Sequence, residues 1–178
     1  LFCDIRRFSE IAERVGPEIT VQFINHVMEE LSFCVQANQG VLVDYIGDEL
    51  IAMWGAPDLQ PQHATMATQA ALEMLAKVTE LGEEWNSKIG QEFEIAIGVN
   101  SGIAQVGNIG SNPRFKYGPL GNTVNVASRV QGATKVVQVP LLITLETAQN
   151  LDASIAYRRI GQVKLINVSQ PVTVCEVS

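Results

Sequence analysis

Two strand-like runs, Val41 to Ile46 and Glu49 to Trp54, are separated only by Gly47-Asp48. A two-residue link between extended runs is the mark of an antiparallel hairpin closed by a tight turn. Such a hairpin excludes an all-helical chain and sets a register in which Ile46 faces Glu49. Positions 44, 46 and 49 then share one face. On either side the apolar spacing turns helical. Val21, Ile24, Val27, Met28, Leu31 and Val35 mark a helix over Pro17 to Asn38, and Ala67, Ala70, Ala71, Met74, Leu75 and Val78 mark another over His63 to Trp85. Gly16-Pro17 punctuates the first helix at its start and Gly40 follows its end. Leu1 to Ile5 and Phe93 to Val99 read as strands. The order β-α-β-β-α-β predicts an α+β chain with a ferredoxin-like core. Beyond it a third helix (Asn122 to Gln131), a strand (Leu141 to Thr144), a helical turn (Glu146 to Leu151) and two strands (Tyr157 to Leu165, Val172 to Val177) add a C-terminal helix and strands. The stretch from Asn100 to Gly121 holds five glycines. It is too Gly-rich for a helix and too apolar for a linker.

With 178 residues, 47% apolar and 17% charged, the chain suits one packed domain, 1–178. It opens inside a strand-like run without a starting Met, so it reads as a domain cut from a longer protein whose regulatory domains lie outside it. The net charge of −7, with no basic tract, argues against nucleic acid as a partner. An anionic substrate would need local help from cations. Cys3, Cys34 and Cys175 sit among apolar residues without CxxC spacing, which points to buried thiols in a reduced, cytoplasmic setting. No apolar run approaches the roughly 20 residues of a membrane span. His26 and His63 lack metal-ligand spacing, and the glycines of Gly98 to Gly110 precede no Gly-Lys-Ser/Thr, so they form no P-loop.

The carboxylates carry the chemistry. Asp4 ends the first strand and Asp48 sits at the hairpin tip. In a ferredoxin-like sheet the first strand lies beside the hairpin, so the two can meet. Uncompensated carboxylates that close repel each other. Hard divalent cations between them would remove the conflict, because Mg²⁺ takes one or two carboxylates plus substrate phosphates. A blander reading makes Asp48 a turn residue and Asp4 a helix N-cap. Arg6 and Arg7 follow Asp4, and a helix start near Phe8 would turn backbone N–H groups toward an anion. Asn125 and Arg129 stand four residues apart on the third helix and share a face. The Asn offers a neutral polar group to a ribose, and the Arg a fixed cation for charge growing on a transferring phosphoryl group. An exposed pair on an amphipathic helix is the alternative.

Taken together, Phe2-Cys3-Asp4-Ile5-Arg6, Tyr45-Ile46-Gly47-Asp48, Gly107-Asn108-Ile109-Gly110-Ser111 and Gly121-Asn122-Thr123-Val124-Asn125-Val126-Ala127-Ser128-Arg129 resemble class III nucleotide cyclases, in order and at similar spacing. The likeness covers nearly the whole chain and is nearest to bacterial, particularly cyanobacterial, members. It implies a head-to-tail homodimer with sites at the interface, where the glycine-rich stretch would form tight turns. Asp4, Asp48 and the carbonyl of Ile5 would hold two Mg²⁺ or Mn²⁺ ions in one subunit. Asn125 and Arg129 would come from the other. The ribose 3′-hydroxyl of a nucleoside triphosphate would attack the α-phosphorus and release pyrophosphate.

The resemblance also locates the base pocket. Adenylyl members usually carry Lys three residues before the Gly of the Gly-Asp turn, where this chain has Asp44. The second base-selecting position falls on Gly118. A carboxylate accepts from guanine N1–H and N2–H₂ as a bidentate pair. Asp44, or Glu49 on the same face, therefore points to GTP and a guanylate cyclase. The alternatives are an adenylate cyclase acting on ATP and a degenerate module that only dimerises and transmits a signal. The family's late phosphate-binding Lys is replaced by Ile166. Lys164, two residues earlier on the same strand face, or Arg6 and Arg7 at the helix start by Phe8, would have to cover the phosphates.

Overall fold

A computed structural model describes residues 1–111 and 113–177. Strand β1 (Phe2–Ile5) runs into helix α1 (Phe8–Ala37), and β2 (Val41–Ile46) and β3 (Glu49–Met53) form the expected hairpin. Helix α2 (His63–Ile89) and β4 (Ile95–Val99) follow, then β5 (Gln105–Ser111), β6 (Arg114–Leu120) and α3 (Asn122–Val137). Strand β7 (Leu141–Thr144), the short α4 (Leu145–Ala148), β8 (Tyr157–Val163) and β9 (Val172–Val177) complete the described chain.

Seven strands form one sheet in the order β2-β3-β1-β4-β7-β9-β8. Its first four are the ferredoxin-like arrangement: β1 lies between β3 and β4 and is antiparallel to both. Strand β7 joins β4 in parallel, so the sheet is mixed, and β9 and β8 extend it antiparallel.

Alternation along the strands separates two faces. Cys3, Ile5, Leu50, Ile97, Leu141 and Ile143 pack with Phe23 and Leu31 of α1 and Met74 of α2. Each such fully buried large side chain contributes about 1.5–3 kcal/mol of transfer free energy. The residues between them point the other way, toward α3. Leu142 and Val174 pack with Val126 and Val130, and Phe2 and Ile51 pack with Ala127, Val124 and Val43. Cys3, Cys34 and Cys175 are free and buried, as expected. Among the described residues no helix is long and apolar enough to cross a membrane.

Two expectations are revised. A helical segment from Phe8 to Val15 precedes the helix that starts at Pro17 as expected, and the two run on across Gly16 as α1. Phe8, Ile11 and Val15 already face the core, so the first segment is amphipathic in its own right. The chain bends at Gly16 (φ 78°, ψ 172°) and restarts on Pro17, whose fixed φ suits a first helical turn. The glycine-rich stretch is not a series of turns but a two-stranded hairpin, β5 with β6, in register from Gln105↔Leu120 to Ser111↔Arg114.

Helix α3 approaches β4 backbone to backbone. A Cβ at Gly98 would stand 2.2 Å from Gln131 N and 2.6 Å from Ala127 O, so only glycine admits the helix at that distance. Asn100 then fastens its first turn: its Nδ2 donates to Thr123 O at 2.9 Å and its Oδ1 accepts from Thr144 Oγ1 at 2.8 Å. Gly98→Ala is expected to cost about 1–3 kcal/mol or more as overpacking. Gly107→Ala, where a Cβ would meet nothing within 4 Å, should stay within about 0.5 kcal/mol of wild type. Urea unfolding of both variants measures the difference, and equal losses would show that the close approach at Gly98 is not required.

Candidate active site

The turn that carries Asp48 is tight because Ile46 pairs with Glu49 across it, as the residue spacing requires. Gly47 takes the left-handed conformation (φ 65°), and Asp48 is not among the residues with positive φ. The turn therefore makes its conformational demand on the glycine, and Asp48 is not there for φ. The capping explanation of Asp4 also fails. Arg7 is the N-cap of α1, and no side chain caps that end.

Register brings the two carboxylates together. Asp4 lies between Glu49 on β3 and Ala96 on β4, one strand in from the hairpin. The Asp48 carboxyl is close enough to bear on its titration. Burial, then the contact with Asp48 and the nearby charge of Glu49, push Asp4 up from its ordinary 3.8 to about 7, against a smaller opposing effect of the Ile5 backbone N–H. Burial and Asp48 also raise Glu49. No cationic side chain figures among these influences.

This donor set fits a hard divalent cation. Two oxygen-rich groups stand close together where positive charge would serve better. No cluster of three or more His, Cys, Asp or Glu side chains that could hold a metal occurs among the described residues. Asp4 and Asp48 would therefore hold such an ion with help from main-chain, water and substrate oxygens.

The consecutive arginines diverge. Arg6 turns away from the carboxylates: its Nη2 donates to Val139 O at 3.0 Å and its Nε lies 3.8 Å from Glu94. Arg7 is exposed, in a left-handed conformation (φ 57°) that costs a non-glycine residue about 1–3 kcal/mol. Its carbonyl accepts from Glu10 N and Ile11 N, which leaves the amides of Phe8 and Ser9 without helical acceptors at the end beside Asp4. The Phe8 ring packs on the core.

Asn125 and Arg129 are both exposed on α3, while Val126, Ala127 and Val130 are buried. The shared face is as expected. The first turn of α3 is tied to Asn100, beyond the end of β4. Asp4 pairs with Ala96 near the start of β4. Four residues of strand, about 13 Å, separate those levels. One chain thus carries the carboxylates toward one end of the sheet and the entry of the Asn/Arg helix toward the other. A cleft of about 280 Å³ on this face, lined by Phe2, Ile51, Trp54, His63, Asn100 and Thr123, includes none of the four polar residues.

Asp44 faces β6 and is not alone. Lys116 Nζ lies 2.6 Å from its Oδ2, and its Oδ1 accepts from Tyr45 N at 2.9 Å. The Lys116 hydrogen bond holds the Asp44 carboxyl below its ordinary range. A bulge between Leu42 and Asp44 accounts for the facing. Leu42 packs on the core under α1, Val43 and Asp44 both face the other way, and Tyr45 returns to α1 with its hydroxyl 2.5 Å from Ser32 Oγ. Lys116 was not singled out from the sequence, because its partner lies 72 residues away on another hairpin. Gly118 is buried on β6. Lys164 is exposed and lies just past the end of β8 at Val163, so it does not share a strand face with Ile166 as expected.

Comparison with known proteins follows this geometry. Residues 1–173 match the family described as adenylate and guanylate cyclase catalytic domain. Adenylate cyclase 1 of Rhizobium meliloti is 29% identical over 177 residues, covering 99% of this chain and 27% of that protein. Adenylate cyclase of Anabaena cylindrica is 27% identical over 184 residues, covering 99% of this chain and 36% of that protein. The chain thus spans about a quarter to a third of the length of these relatives. Among solved structures, the adenylyl cyclase CyaB from P. aeruginosa superposes with a TM-score of 0.93 at 29% identity, over 99% of this chain and 91% of that one. The guanylyl cyclase Cya2 does so with 0.88 at 27%, over 99% and 88%.

The carboxylate contact predicts a pH dependence in metal-free protein. Asp4 titrates near 7 when folded and near 3.8 when unfolded. The folded state therefore keeps a proton that the unfolded state has released. Its contribution to stability is complete below about pH 4 and is lost as pH rises through 7. In chelator, the thermal midpoint should fall from pH 5 to pH 8. Mn²⁺ should restore it at pH 8, and Asp48→Asn should weaken both effects, burial alone still raising Asp4. A pH-independent midpoint with no response to Mn²⁺ would contradict the carboxylate site.

Proposed function

Because the chain belongs to the adenylate and guanylate cyclase catalytic-domain family, we propose that it closes a nucleoside triphosphate into a 3′,5′-cyclic nucleotide with release of pyrophosphate, at sites shared between two copies. The observation that carries this reading is the contact of Asp4 with Asp48, unbalanced by any cationic side chain. In the reaction the ribose 3′-hydroxyl gives up its proton to water and its oxygen forms a bond to the α-phosphorus. The bond from that phosphorus to the bridging oxygen breaks, and the electron pair leaves with pyrophosphate.

Asp4 and Asp48, with the main chain at Ile5, would hold two divalent cations. When bound, Mg²⁺ or Mn²⁺ ions supply charge to the attacking and leaving oxygens. The unpaired amides at the start of α1, with Arg7, meet the phosphates. Arg6 is already engaged at Val139. Asn125 and Arg129 come from the partner copy, Asn125 orienting the ribose and Arg129 offsetting charge on the phosphoryl group. Lys164 follows strand β8, four places from β1 across the sheet. It belongs with the half-site that the same chain contributes to its partner.

GTP is the substrate favoured by an acidic base pocket, with Asp44 as reader and Glu49 beside Asp4 on the same face. Gly118 contributes no side chain. ATP is the second reading, supported by the names of the relatives above. Together Asp4, Asp48, Asn125 and Arg129 form a complete set, which favours an enzyme over a signalling module.

Purified protein with Mn²⁺ and GTP or ATP, its products separated by chromatography, tests the reaction. Asp4→Ala and Asp48→Ala should each bring turnover below detection, and Arg129→Ala should cost roughly 100-fold or more. Mixing Asp48→Ala with Arg129→Ala should recover about a quarter of wild-type specific activity, since random two-fold pairing leaves half the dimers with one intact site of two. Confirmed mixed dimers without recovery would contradict the shared site.

A further inference from the structure

Strand β6 lies over the part of β2 that carries Asp44, and it offers that carboxylate one cation. Lys116 Nζ sits 2.6 Å from Asp44 Oδ2. Gly118, two residues along the same face of β6, cannot take a side chain as the structure stands. A Cβ there would be 2.8 Å from Val43 Cγ1, and Val43 is turned toward β6 by the bulge. The pair is open to a ligand, with side-chain exposures of 48% for Lys116 and 35% for Asp44. An ammonium has three N–H donors, so Lys116 keeps donors to spare beyond the one aimed at Asp44.

We propose that Lys116 is a base-reading residue, donating to O6 of guanine while Asp44 accepts from N1–H and N2–H₂ of the same edge. This rests on the reading that Asp44 meets the base. A donor beside an acceptor complements both purines, but in opposite order and to different extents. Guanine presents O6, N1–H and N2–H₂ to the pair, three groups that it can satisfy. Adenine presents only N1 and N6–H₂. Hydrogen bonds to charged partners are about twice as strong as neutral ones, so the third contact favours guanine. In water the ion pair by itself is worth little. Under a stacked base it loses solvent, and a ligand that leaves either charge unmatched is rejected.

The test compares wild type, Lys116→Met, Lys116→Arg and Asp44→Asn in the dimeric protein with Mn²⁺. Turnover of GTP, inosine triphosphate and ATP is measured, together with the ability of each to displace a fluorescent GTP analogue. Inosine triphosphate keeps O6 and N1–H but lacks the 2-amino group. Lys116→Met should lower kcat/KM for GTP and inosine triphosphate alike by roughly 10- to 100-fold, lower it less for ATP, and be rescued in part by Lys116→Arg. A loss on ATP but not on GTP would place Lys116 at adenine N1 and overturn the guanine assignment. No effect of Lys116→Met, with Asp44→Asn still costing GTP, would overturn Lys116 as a reader and leave Asp44 in place. No effect of either substitution would remove the pair from base recognition altogether. Displacement reports recognition even where turnover is undetectable, and failure of all three nucleotides to turn over or displace would sink the cyclase reading with it.

Discussion

Two carboxylates held in contact are the constraint around which this domain is arranged. Asp4 has no freedom to retreat. It lies on the strand between β3 and β4, hydrogen-bonded on both sides, and its neighbours Cys3 and Ile5 are anchored in the α1/α2 core. Asp48 has little more, because the turn that bears it spans only two residues. The sheet's packing holds the pair together and buries Asp4, and that burial first, then the neighbouring Asp48, raises its titration. A site stabilised this way gains most from a ligand that brings positive charge. Binding a cation and relieving the fold become the same event.

The same sheet that gathers the carboxylates also seats the Asn/Arg helix. Strand β4 runs antiparallel to β1, and α3 packs along β4 with its first turn latched beyond the strand's far end. Glycine at position 98 allows this by letting the helix backbone sit on the strand. A helix so fixed has little freedom to slide along the sheet. On the proposed shared-site reading, two-fold pairing would bring each such helix to the partner's carboxylates, because an isologous contact repeats itself in both directions.

How much of this was readable from residues alone depended on the range of the forces involved. The hairpin register, and with it the position of Asp48, follows from a two-residue gap and strand alternation, both local. The face shared by Asn125 and Arg129 follows from helical period in the same way. The β5–β6 hairpin was not legible, because glycines at 107, 110 and 118 interrupt the alternation that marks a strand. The helix start near Phe8 and the one at Gly16-Pro17 were both legible, but not that the two segments run on as one kinked element across Gly16.

Side-chain partners were the least legible feature. Arg6 and Arg7 are identical in kind and adjacent, yet the strand end sends Arg6 to the Val139 carbonyl while the left-handed turn leaves Arg7 exposed. Nothing in their own segment separates them, since the acceptor that claims Arg6 lies 133 residues away. Asp44 shows the same logic with greater consequence. From the sequence it is a solitary carboxylate. In the fold a bulge at Val43 turns it toward β6, where Lys116 makes it half of a donor–acceptor pair. The chemistry at Asp44 is therefore a property of two hairpins together. No rule that reads one position at a time recovers it, because the charge a ligand would meet at Asp44 is decided by a residue on a different strand.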